Sequence, residues 1–246
     1  MRDLTYPPTV LLGKALIKAL DIRLRIEGAE HIPRTGGAVL VSNHVSYLDF
    51  IFCGYAALPA KRLVRFMAKE EVFRHRIAGP LMRSYHHIPV DRTAGAGSFR
   101  AAVAALRAGE VVGVFPEATI SRSFTVKETK RGALRLAASA DVPLVPMAVW
   151  GGHRLWTKGR PRHLLQRHVP VLVVVGEPLH PRRSDDRVAG QAQLHARMQE
   201  LLDQAQREYP DQPRDATDRW WVPAHLGGTA PSPEAAAELD RADAAR

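Results

Sequence analysis

Apolar positions along the chain fall into short unbroken runs and, between them, stretches where they recur at helical spacing. The runs Ala38–Val41, Val64–Ala68, His87–Val90, Val111–Phe115, Leu144–Val149 and Val169–Val175 predict strands, several with no polar interruption. Leu48–Ala57 reads as a helix after the first of them. Ser98 is a candidate N-cap, followed by Phe99, Ala102, Val103 and Leu106 at i, i+3, i+4 and i+7, with Gly109 closing the helix. Gly132–Ala140 predicts a further helix, and Leu194, Met198, Leu201 and Leu202 mark one face of the last. Strands that alternate with helices and are apolar on both faces predict an α/β fold: a single domain with a mainly central mixed sheet flanked by helices.

The ends of the chain depart from this pattern. In Val10–Leu20, Leu11, Leu12, Ala15, Leu16 and Ala19 recur at helical spacing with Lys14 and Lys18 elsewhere. Residues 1–22 are therefore expected to hold a short amphipathic helix, lying on a membrane surface or packed on the domain. No stretch approaches the ~20 apolar residues of a spanning helix, and the N-terminus lacks the pattern of a secretory signal. The domain is expected to occupy residues 23–209. Residues 210–246 hold Pro213, Pro223, Pro231 and Pro233 and an alanine-rich acidic end, which predicts an extended or disordered tail. Trp220 and Trp221 are the exception, able to pin part of it to the domain or to a membrane interface.

Composition sharpens the picture in two places. Lys+Arg 35 against Asp+Glu 25 give a net charge of +10. The tail from Asp211 has four basic and seven acidic residues, so residues 1–210 carry +13 and the tail −3. A body that basic is drawn to polyanions, whether an anionic bilayer or phosphorylated molecules. Nucleic acid is not expected, because aromatic residues interleaved with basic ones are missing. The single cysteine, Cys53, allows no internal disulfide and lies in an apolar run, as a buried inert thiol does.

The candidate chemistry begins in Ser42-Asn43-His44-Val45-Ser46-Tyr47-Leu48-Asp49, directly after a strand. A histidine acting as a base on an alcohol needs an acceptor on its other ring nitrogen. Residues five apart stand about 140° apart on a helix. His44 and Asp49 can therefore meet only if His44 lies in the loop and Asp49 reaches back from the first helical turn. A second block, Val114-Phe115-Pro116-Glu117-Ala118-Thr119, follows another buried strand, with Arg122, Lys127, Lys130 and Arg131 close behind it. Open α/β sheets bind ligands at such C-terminal strand ends, and the basic residues are of the kind that hold phosphate. Ile88-Pro89-Val90-Asp91-Arg92 sets an arginine past a strand, and Val142-Pro143-Leu144-Val145-Pro146 is a strand bracketed by prolines. Each block alone has an ordinary structural explanation: a capped helix, a solvated loop, an ion pair, an edge strand.

Together and in order, the four blocks resemble the glycerolipid acyltransferase family of the 1-acylglycerol-3-phosphate acyltransferase type. Its Asn-His-x4-Asp motif is matched by Asn43, His44 and Asp49, and its Phe-Pro-Glu-Gly-Thr motif by Phe115, Pro116, Glu117 and Thr119. Its arginine after an apolar strand is matched by Arg92, and its Val-Pro-x-x-Pro block by Val142–Pro146. Ala118 replaces the family's usual glycine, and Ile120 stands where an arginine often follows the threonine.

The resemblance implies transfer of a fatty acyl group from a thioester to the sn-2 hydroxyl of 1-acylglycerol-3-phosphate, forming phosphatidic acid. His44 would be the general base and Asp49 its orienting partner. Arg92, Glu117 and Thr119, with Lys127 and Lys130, would hold the acceptor, and backbone N–H groups near the helix start would serve the oxyanion. Acyl-CoA or acyl carrier protein would supply the acyl group as a co-substrate, with no permanently bound cofactor and no metal. The partners implied are the lysophospholipid, the thioester donor and an anionic membrane surface. The expected location is peripheral, on the cytoplasmic face of the cell membrane, with Arg154, Lys158, Arg160, Arg162 and Arg167 on a face toward it. Two alternatives stay open: the same chemistry on glycerol-3-phosphate, another lysolipid or a glycolipid, and a non-catalytic phospholipid-binding protein.

Overall fold

Valine-rich runs are most stable where helices cover both faces of a sheet, and the chain is arranged accordingly. A computed structural model describes residues 5–91 and 95–244. The strands are β1 (Arg23–Glu27), β2 (Ala38–Ser42), β3 (Val64–Lys69), β4 (Ile88–Val90), β5 (Val111–Val114), β6 (Leu144–Trp150) and β7 (Pro170–Val175). The helices are α1 (Tyr6–Ala19), α2 (Asp49–Ala56), α3 (Glu70–Arg74), α4 (Ala78–Ser84), α5 (Ala96–Arg107), α6 (Gly132–Ala140), α7 (Arg187–Arg207) and α8 (Pro233–Ala244).

One seven-stranded sheet runs in the order β1-β7-β6-β2-β5-β3-β4. From β6 to β4 neighbouring strands are parallel; β7 turns antiparallel to β6, and β1 pairs parallel with β7. The mixed sheet expected from the sequence is thus five parallel strands joined to an opposed pair. Alternate side chains of β2 serve the two cores. Val39 and Val41 pack with Leu106, Leu136, Leu194 and Met198 from α5, α6 and α7. Ala38 and Leu40 pack with Phe52, Cys53 and Ala56 of α2. The parallel register brings the C-terminal ends of β2, β5 and β6 to one edge, where the loops after Ser42, Val114 and Trp150 converge.

Three local expectations need correction. Helix α5 starts at Ala96, with Gly95 in the cap position. Ser98 is buried within its first turn, and its hydroxyl accepts from the Asp91 N–H at 3.3 Å. Strand β1 went unpredicted because Arg23, Arg25 and Glu27 alternate with its apolar residues, as an edge strand allows.

The third concerns the tail, which is neither extended nor detached. Trp221 is buried against Tyr209, its carbonyl accepts from His153 Nε2 at 2.9 Å, and Arg154 lies over its ring. Beyond it the chain makes a short 3-10 turn and then α8. Trp221 thus pins the tail to the domain, one of the two roles open to it from the sequence, and the proline-rich composition did not foretell the folded segment around it.

Helix α1 has no fully buried side chain. It is tied down by Tyr6, whose hydroxyl donates to the Val64 carbonyl, and by Tyr55, which donates to Val10. Leu11, Leu12 and Leu16 point outward, more than half exposed. No helix among the described residues is long and apolar enough to cross a membrane.

Trp221→Ala should lower stability by about 3 kcal/mol in urea-monitored unfolding of the full chain. An unattached tail would leave the midpoint where it is.

Candidate active site

At the converging strand ends, short-range geometry pairs His44 with Asp49. Asp49 occupies the first turn of α2, a position the helix dipole favours for an anion. Its side chain is fully buried, and Oδ2 accepts from the N–H groups of Val45 (2.8 Å) and Ser46 (2.7 Å). The same oxygen faces His44 Nδ1 at 3.0 Å. A carboxylate only accepts, so Nδ1 carries the hydrogen and Nε2 is left as the basic nitrogen. Burial drives the Asp49 carboxyl above its ordinary value, and the bonds from His44, Ser46 and Val45 pull it back down. The ring of His44 is about one-fifth exposed and stacks on Phe115 at 4.3 Å. Phe115 stacks in turn on Phe66, which crosses β5 at Gly113; a Cβ there would come within 2.5 Å of the ring.

The backbone around His44 is held from three sides. Its N–H donates to Glu117 Oε1 at 3.0 Å, and its carbonyl accepts from the Ser121 N–H at 2.7 Å. Asn43, fully buried, exchanges two hydrogen bonds with the Val149 backbone of β6, at 2.7 and 3.1 Å. Glu117 was expected on the acceptor. Its carboxyl is instead buried and braces the His44 backbone. Burial raises its pKa well above the carboxylate range, against the N–H groups of His44 and Lys127 that favour its charge.

These features coincide with a family signature. The acyltransferase family model matches residues 23–150, which span β1 to β6 and both loops of the site. A 1-acyl-sn-glycerol-3-phosphate acyltransferase of Bacillus subtilis (strain 168) is 32% identical over 174 residues, 68% of this chain and 80% of the relative. The chain belongs to the acyltransferase family. A relative of the same name from Limnanthes douglasii is also 32% identical over 174 residues, but the match spans 59% of its length. The crystal structure of the 1-acyl-sn-glycerophosphate acyltransferase PlsC from Thermotoga maritima superposes with a TM-score of 0.66 at 23% identity, over 82% of this chain and 80% of that one. At that identity the match speaks for the fold.

The remaining expected site residues of this acyltransferase divide by environment. Arg92 lies outside the described residues. Thr119 is half-buried in the loop after the Phe115–Ala118 turn, and Lys130 is exposed. Lys127 is paired with Asp240 of α8 at 2.5 Å. Ile120 turns inward and is buried. Ala118 takes the positive φ of the usual glycine regardless, at +61°. That costs about 1–2 kcal/mol, which the Ala118 N–H to Phe115 carbonyl bond at 3.2 Å helps offset.

The expected oxyanion donors also need revision. From Val45 to Asp49 every backbone N–H is engaged: two by Asp49, the others by Trp156, the Ser46 hydroxyl and the Ser46 carbonyl. The basic run from Arg154 divides: Arg160, Arg162 and Arg167 are exposed, whereas the other two are engaged within the protein. Arg154 is buried on Asp211 and Tyr209, Lys158 is bound to α8, and Arg160 and Arg162 lie over Trp220 and Trp156. Cys53 is buried in the α2 core, and burial above all pushes its thiol up to about 12.

A group with a raised folded-state pKa contributes its stability below its unfolded pKa and loses it as pH rises. Wild-type stability should therefore fall above pH ~4.5, by at most one proton's worth, ~1.4 kcal/mol per pH unit, for Glu117. Glu117→Gln, which keeps an oxygen for the His44 N–H, should flatten that slope in urea unfolding at pH 5, 7 and 8.

Proposed function

We propose that this acyltransferase moves a fatty acyl group from a thioester to the sn-2 hydroxyl of 1-acylglycerol-3-phosphate, forming phosphatidic acid. The observation that carries the reading is the 3.0 Å contact of His44 Nδ1 with a buried Asp49. It leaves Nε2 to take the hydroxyl proton while Asp49 stabilises the imidazolium. The hydroxyl oxygen bonds to the thioester carbonyl carbon, the carbon–sulfur bond breaks, and the imidazolium returns its proton to the departing thiolate. Cys53 takes no part: a thiol titrating near 12 beneath the sheet is no nucleophile at neutral pH. The Bacillus relative, named for this reaction and matched over 80% of its length, supports the choice of acceptor. The donor is acyl-CoA or an acyl carrier protein thioester.

The enzyme works from the cytoplasmic face of the cell membrane as a peripheral protein. Leu11, Leu12 and Leu16 of α1, with Ile77 and Leu81 at α4, form an exposed apolar surface suited to the headgroup boundary. The basic body adds attraction to anionic lipid.

Thiol release from acyl-CoA with lysophosphatidic acid should fall ~10²–10⁴-fold in His44→Ala, as on loss of a general base. Turnover that survives the substitution would defeat the mechanism. In vesicle sedimentation, Leu11→Asp/Leu16→Asp should cut binding to anionic vesicles at least tenfold, the scale of two leucines withdrawn from the interface.

A further inference from the structure

The acidic tail meets the catalytic loops through a compact set of ion pairs. Lys158 Nζ lies 2.7 Å from Asp240 Oδ1 and 3.0 Å from Asp243 Oδ2. Lys127 Nζ is 2.5 Å from Asp240 Oδ2. Arg122 places Nη2 2.5 Å from Asp243 Oδ2 and Nε 3.5 Å from Asp240 Oδ1. The three cations retain only 15–25% of their side-chain exposure.

Two of the three cations are fastened, through a chain neighbour, to the backbone that carries the base. Arg122 follows Ser121, whose N–H bonds the His44 carbonyl, and Lys158 follows Thr157, whose hydroxyl donates to the Val45 carbonyl at 2.7 Å. Lys127 favours the charged form of Glu117, the residue that holds the His44 N–H. The helix facing them is held differently. Among its described residues Ala236 is the one buried side chain, and Leu239 points to solvent. The tail's apolar anchors, Trp221 and Ala230, lie upstream, so α8 can leave while they stay.

We propose that Arg122, Lys127 and Lys158 form a phosphate-monoester site beside the catalytic pair, and that Asp240 and Asp243 fill it as an intramolecular competitor that the phosphorylated acceptor displaces. The inference rests on the acceptor reading above. Three cations against two carboxylates leave one positive charge, the same balance a phosphate monoester near −2 would leave. Four carboxylate oxygens present acceptors much as phosphate oxygens do. Burial opposes charge on Asp240, yet the bonds from Lys127 and Lys158 hold its carboxyl below the ordinary value. Lys158 and Arg122 hold Asp243 low in the same way. A phosphorylated ligand therefore competes with fully charged carboxylates at neutral pH.

The test is equilibrium binding of glycerol 3-phosphate to the full chain, independent of acyl transfer. Asp240→Asn/Asp243→Asn should bind it about tenfold more tightly, as when a site open one-tenth of the time becomes open throughout. Arg122→Gln/Lys158→Gln should lose binding. In the wild type, saturating glycerol 3-phosphate should speed hydrogen exchange across residues 233–244. With lysophosphatidic acid as acceptor, the KM of the Asp variant should fall by the same factor with kcat unchanged. Equal affinity in wild type and Asp variant, or binding without faster exchange, overturns the proposal. A gain for coenzyme A but not for glycerol 3-phosphate overturns the assignment to the acceptor. Absence of lysophosphatidic acid turnover in the wild type would defeat the functional reading, while the binding arm still judges the tail.

Discussion

A carboxylate with no solvent exposure sits at the start of α2, and three N–H groups within five residues of it converge on one of its oxygens. Burying that charge is costly, and the three donors are what make it tolerable. Their convergence also draws the chain from His44 to Asp49 into a tight loop. The loop sets the tilt of the imidazole, assigns its tautomer and consumes the N–H groups nearest the helix start. Neighbouring choices follow from it. Asn43 clips the loop to β6, Ser46 ties it to Gly152 and Trp156, and Phe115 supports the ring from beneath. The backbone at His44 is over-determined, as a preorganised site requires.

Glu117 extends the same logic to a second strand end. Its buried carboxyl joins the loop after β5 to the loop after β2, so the two sequence blocks become one structure. Both carboxyls are pushed upward by burial, and each is restrained by N–H groups that favour the charge. His44 thus stands beside two desolvated acids, while Arg122, Lys127 and Lys158 pair with the acidic helix. Charge that looks merely asymmetric along the chain is sorted in space: the acidic tail folds back onto the basic loops beside the site.

The predicted strands and helices α2, α5, α6 and α7 follow from patterns a few residues long. A buried strand needs an apolar run and a covering helix needs a 3.6-residue period, and both are written locally. The His44–Asp49 geometry was legible for the same reason, since a five-residue loop leaves few ways to close. The features that escaped reading are the long-range ones. Glu117 bonds to a residue 73 positions away, His153 meets Trp221 across 68, and Lys127 meets Asp240 across 113. A buried glutamate bracing a backbone and an exposed one holding a ligand look alike in one dimension. Trp220 and Trp221 likewise marked the tail as able to dock, but not whether on the domain or on a membrane. Side-chain period and turn chemistry are properties of neighbours along the chain, so the amino-acid order alone determined six of the strands, their main covering helices and the His44–Asp49 pairing. The bracing of that pair, the left-handed turn at Ala118 and the seat of the acidic helix were decided only when the parallel strands brought distant loops to one edge.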